Sequence, residues 1–150
     1  MKNNLFPTNN YYNKSYIVNQ RFINKNKPLA LKRILINKDN IINVFKFFLH
    51  YKYKIFEENV FLDIKYLKKQ LINAKVSNEV IPWAENEEGQ IKISNKDKMK
   101  NDEMISVLIH ESIHNSVKIK RVTRYSKLKI LSCEDEHKCL DLLGDNLHLF

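Results

Sequence analysis

The chain has 150 residues, enough for one core and one domain, with 2 Gly and 3 Pro, which excludes collagen-like and linker-type sequences. Its 43% hydrophobic content rules out wholesale disorder, and no run approaches the 18 apolar residues of a membrane helix. The formal charge of +9 is unevenly placed: residues 1–78 hold 15 Lys and Arg against 4 Asp and Glu, whereas residues 79–150 hold 11 against 13.

A basic half of this kind suits an anionic partner, and nucleic acid contacted through residues 1–78 is one expectation. The weight of that signal is reduced by composition, since 22 of the 26 basic residues are Lys and Asn occurs 19 times, the bias of an AT-rich genome. The two cysteines, Cys133 and Cys139, lie in one short stretch and build no disulfide framework. The first residues lack the continuous apolar core of a secretory signal, so the expected location is intracellular, cytoplasmic or nuclear, with reduced thiols.

Residues 1–30 are rich in Asn, Lys and Tyr without a clear period and are expected to form a poorly ordered basic arm, leaving 31–150 as the single folded domain. From Asp39 to about Glu58 the apolar spacing predicts a helix, with strand character possible near 50–56. Asp63 is placed to cap a second helix ending near Ala74. The period then shortens: Val80–Trp83 and Gln90–Ser94 predict two short strands around a polar Glu85–Gly89 turn, with Trp83 in the core. Asn101 is the expected N-cap of a helix that carries Met104, Ile105, Val107, Leu108, Ile109, Ile113 and Val117, apolar on nearly every face and therefore buried. A basic loop over Lys118–Lys129 leads to a last helix that starts at Ser132 and stops at Gly144. The fold class expected is α+β: N-terminal helices, a short hairpin or sheet, and two closing helices.

Within the apolar helix lies His110-Glu111-Ser112-Ile113-His114. Two histidines four residues apart project from one helix face, one turn apart, and can converge on one cation. Glu111 is positioned beside that cation to accept a proton from a water and return it to a leaving group. Buried His and Glu also require partners, and a shared metal supplies them.

A catalytic zinc takes three protein ligands and keeps one position open, so a third must come from elsewhere. The dense segment Cys133–Asp141 holds the candidates. Glu136 shares an inward stripe with Cys139, Leu140, Leu143 and Leu147, and a carboxylate on an apolar stripe is the expected third ligand. Glu134 and His137, on the polar side of the same helix, are the alternatives. Asp141 is a candidate to orient a ligating imidazole from behind.

An H-E-x-x-H helix followed some twenty residues later by a helical glutamate resembles the gluzincin metallopeptidases. Glu134 has the spacing of the thermolysin-like arrangement. The small size, and Glu134-x-Glu136-His137-x-x-Leu140-Asp141-x-Leu143, are closer to short zinc peptidase domains of the ImmA/IrrE type, over about residues 78–147. His137 and Asp141 depart from that pattern, where small residues stand. The resemblance implies a zincin-like domain, a zinc-dependent metallopeptidase with Glu111 as general base, and a protein or peptide substrate held along the Gln90–Ser94 strand. The SprT-like proteases, which act on DNA-bound proteins and use a third histidine, are also similar; for them His137 is the ligand. A catalytically inactive basic binding module is the non-enzymatic alternative.

Overall fold

The computed structural model describes residues 6–54, 58–79, 81–121, 128–129 and 132–147, and these form a mixed α+β fold. Two helices, α1 (Phe6–Ile36) and α2 (Lys38–Tyr53), are followed by strand β1 (Glu58–Leu62), α3 (Ile64–Asn73), and strands β2 (Lys75–Ser77), β3 (Ala84–Glu87) and β4 (Gln90–Ser94). The chain closes with α4 (Asn101–Ile113), β5 (Val117–Arg121), β6 (Leu128–Lys129) and α5 (Cys133–Leu147).

Over the described part of residues 1–30, the expected loose arm is instead helix α1, packed on α4. Ile23, Ala30 and Ile34 are fully buried, and two buried asparagines replace the missing apolar period. Asn19 donates through Nδ2 to the carbonyls of Ser94 (3.1 Å) and Asp97 (2.9 Å) and accepts the Met99 N–H (3.0 Å). Asn26 donates to Asn101 Oδ1 at 3.1 Å. These bonds bind α1 to the loop that launches α4, satisfying buried polar groups that would otherwise cost stability.

Asn101 thereby becomes the first residue of α4, not its cap; the helix begins after Lys100, whose N–H donates to the Glu103 carboxylate at 3.0 Å. Asp63 caps α3 as expected, accepting the Tyr66 N–H at 3.0 Å. The helix expected over Asp39–Glu58 ends at Tyr53, and Glu58–Leu62 is a strand. Val117 has left α4 for β5, so the expected basic loop after it is in part an antiparallel pair with β6. Gly144 does not stop the last helix, which continues to Leu147.

Among the described residues the strands make two three-stranded sheets. One has the order β1-β5-β6, with β1 antiparallel to β5 from Leu62↔Val117 to Glu58↔Arg121. The other has the order β2-β4-β3. There β4 pairs with β2 in parallel and with β3 antiparallel, the latter around a tight turn at Glu88 and Gly89, both at positive φ (50° and 87°). Two expectations are corrected by this sheet. Gln90–Ser94 is its central strand, so its backbone is already paired on both sides. The strand expected at Val80–Trp83 starts only at Ala84; Val80 lies outside the described residues. Among the described residues no helix is long and apolar enough to cross a membrane.

Candidate metal centre

The local course of α4 sets the first two imidazoles. Ile105, Leu108, Ile109 and Ile113 bury one side of the helix, leaving His110 and Glu111 half-buried at the rim. The helix ends at Ile113; His114 occupies the C-cap in an extended conformation (φ −53°, ψ 132°) and Asn115 turns left-handed at φ +62°. Asn tolerates that conformation better than most residues. The end is braced from below by buried Gln70 of α3, whose Nε2 donates to the Ser112 carbonyl (3.0 Å) and to Ser116 Oγ (2.7 Å).

His110 Nε2 and His114 Nε2 face each other at 3.3 Å, with ring centroids 5.0 Å apart. His137 of α5 completes the group, its ring 4.5 Å from His114 and 5.3 Å from His110. One ring nitrogen from each lies within 4.8 Å of the others, so His110, His114 and His137 are close enough together to bind a metal ion.

Each of two rings is oriented from behind. His137 Nδ1 lies 3.0 Å from the Cys133 carbonyl, which can only accept, so the proton sits on Nδ1 and Nε2 is left with its lone pair. His114 Nδ1 lies 3.2 Å from Glu136 Oε1, with the same consequence for its Nε2. Burial, with the like charge of His114 and His137, pushes His110 down to about 4, against the pull of the Asp141 carboxylate. A low pKa keeps that imidazole neutral and able to donate its electron pair at pH 7.

Glu136 is therefore placed otherwise than its stripe suggested. Its inward position is as expected, with Glu136, Cys139, Leu140 and Leu143 all buried. The carboxylate, however, is engaged by two N–H groups, Nδ1–H of His114 and the backbone N–H of Asn115, the latter at 2.8 Å to Oε2. The break in α4 exposes that backbone donor, and satisfying it draws the carboxylate behind His114 and not to the ring cluster. Glu134 points to solvent and pairs with Lys138 at 3.4 Å. Asp141 is exposed and acts on His110 through its charge.

Glu111 lies beside the cluster. Burial raises its carboxyl pKa, His114 and His137 pull the other way, and Glu85 adds to the rise. Asn86 of β3 donates through Nδ2 to the Glu111 carbonyl (2.6 Å) and to Gln70 Oε1, tying β3 to this part of α4. Sequence reasoning assigned no role to Gln70 or Asn86, and nothing in their local pattern singles them out.

A cleft of about 360 Å³ opens over His110 and Glu111, walled by Pro82, Trp83, Ala84, Ser106 and Val107. Trp83, expected in the core, is half-exposed here (51%) because the chain enters β3 along the outer side of α4. No known family, no curated protein and no solved structure matches the chain.

Proposed function

We propose that the protein is a zinc-dependent metallopeptidase, and the observation that carries this reading is the convergence of three imidazoles, one of which, His110, lines a cleft together with Glu111. The donor chemistry fits zinc: three imidazole nitrogens, two of the rings hydrogen-bonded from behind through Nδ1, and no carboxylate or thiolate needed to complete the set. His110, His114 and His137 would hold the ion and Glu136 would orient His114. A bound zinc supplies Lewis acidity toward a carbonyl and makes a water acidic enough to lose its proton near neutral pH.

The chain's own residues supply the rest. Glu111 carries a carboxyl whose affinity for a proton is raised by burial, which suits a group that takes up a proton and gives it back within one turnover. Among the described residues β3 is paired with β4 alone, so its other edge can receive an extended polypeptide by strand addition. The Asn86 bonds hold that edge against the Glu111 turn of α4.

The test is Glu111→Gln in zinc-loaded protein assayed on an unfolded protein substrate. Hydrolysis should fall about 10²–10⁴-fold with the zinc content unchanged. Retained hydrolysis, or none in the wild type with zinc bound, removes the peptidase reading.

A second reading is favoured by two observations. His137 stands where the SprT-like resemblance has its third histidine, and residues 14–53, over α1 and α2, hold 9 Lys and Arg against one acid, Asp39. Their outer surface also shows Phe47 and Tyr51 stacked at 5.8 Å. A protease acting on DNA-bound proteins would bind DNA through this face, with affinity falling steeply as salt rises. Absence of DNA binding at low salt removes this version and leaves the peptidase.

A further inference from the structure

The cleft over Glu111 does not end at Val107. A second hollow, of about 480 Å³, lies next along α4 and shares Trp83, Ser106 and Val107 with the first. Its remaining lining is Arg33, Asp102 and Glu103. One groove thus follows the outer side of α4 for two turns, from Glu111 past Val107 to Glu103, with the Trp83 side chain bordering both compartments.

The two compartments differ in chemistry. The inner one is walled by Pro82, Trp83, Ala84 and Val107, an apolar box open to His110 and Glu111. The outer one has two carboxylates and one guanidinium on its rim, an excess of one negative charge. Successive turns of a helix are spaced about 5.4 Å apart, and side chains on one face of an extended chain recur about every 6.6 Å. An extended peptide lying along α4 would therefore place residues n and n+2 in consecutive compartments.

Resting on the peptidase reading, we propose that the groove selects its substrate: an extended polypeptide with a large apolar residue next to the bond at Glu111 and a Lys or Arg two residues further toward Asp102. Trp83 supplies the apolar wall and is the specificity-determining residue of the inner compartment. Asp102 and Glu103 supply the preference for a cation in the outer one.

The chain's single tryptophan makes this measurable without turnover. Zinc-loaded Glu111→Gln protein is titrated with blocked peptides that contain Phe-Ala-Arg, Ala-Ala-Arg or Phe-Ala-Glu, following Trp83 emission and, in parallel, the anisotropy of labelled peptide. Phe-Ala-Arg should shift the emission and bind at least about ten-fold more tightly than either of the others. In the same background Trp83→Ala should lose the preference for Phe and Trp83→Phe should keep it. Asp102→Asn with Glu103→Gln should erase the Arg-over-Glu preference alone; the glutamine retains an acceptor for the Lys100 N–H.

Equal binding of the three peptides, or an unchanged Phe preference in Trp83→Ala, overturns the proposal. Its failure is separable from that of the peptidase reading. Wild type that cleaves all three peptides alike keeps the hydrolysis and discards the groove. Selective binding with a Trp83 response, but no cleavage by wild type, keeps the groove as a peptide site and discards the hydrolysis.

Discussion

Glu136 and His114 form a buried pair, Oε1 to Nδ1 at 3.2 Å, with side chains only 4% and 7% exposed. The same carboxylate accepts the Asn115 N–H, so one residue of α5 both sets the tautomer of an α4 histidine and closes the broken end of that helix. The order in which the cluster depends on its parts follows from this pairing.

Alanine at His110, His114 or His137 should abolish stoichiometric zinc, measured by elemental analysis after dialysis. Glu136→Ala should retain a site whose affinity is lower by about 10–100-fold, read by competition with a chromogenic chelator. The reverse pattern, zinc lost with Glu136 and kept without His137, would restore the carboxylate as the third ligand.

Gln70 links α3 to the last turn of α4 through the Ser112 carbonyl and Ser116 Oγ. Gln70→Leu removes one donor from the Ser112 carbonyl, which keeps the Ser116 hydroxyl, and takes from Ser116 Oγ its donor and from Asn86 Nδ2 an acceptor, a cost of about 1–3 kcal/mol in urea unfolding. Because the His114 turn is the part left unsupported, zinc affinity should fall as well. A variant of unchanged affinity would limit Gln70 to a stabilising role.

Asp135, one residue before Glu136, is buried between Lys52 (2.7 Å) and the Tyr53 hydroxyl. The Lys52 hydrogen bond, then that of Tyr53, hold its carboxyl below the ordinary carboxylate value, against the opposing effect of burial. A carboxyl with a depressed folded-state pKa contributes its stability above the unfolded value and loses it as pH falls through the folded one. Metal-free protein should therefore melt at a nearly constant temperature above about pH 5 and lose stability below it. Asp135→Asn should melt lower at pH 7 and show a shallower acid slope; an unchanged slope would place the acid sensitivity elsewhere.

Cys139 is buried, and burial, aided by the charges of Asp135 and Glu136, pushes its thiol up to about 12; Cys133 is exposed. Native protein at pH 8 should release one equivalent of thionitrobenzoate from Ellman's reagent, and two after unfolding. Cys133→Ser should show none until unfolded. Two fast equivalents in the native state would mean that α5 opens readily.

The H-E-x-x-H spacing, the buried character of its helix, the Asp63 cap and the inward stripe of α5 were all legible locally, because each depends on neighbours within one or two turns. The strands β1 and β5 were not: Glu58–Leu62 and Val117–Arg121 are stabilised by each other across more than fifty residues of chain. Helix α1 was hidden for a related reason, since its buried asparagines read as surface until Ser94, Asp97, Met99 and Asn101 are brought beside them.

Residue order alone thus determined that two histidines and a glutamate stand within five residues at the end of a buried helix, and that a second helix carries acids and a histidine in reach of any fold that doubles back. Which of those side chains meets the imidazole pair was decided only in three dimensions. Ending α4 at Ile113 frees a backbone N–H at Asn115, Glu136 is drawn to it, and His137 on the outer side of α5 is left to face the rings. Periodicity reports which face is buried; it carries no information about which buried donor a carboxylate will find there.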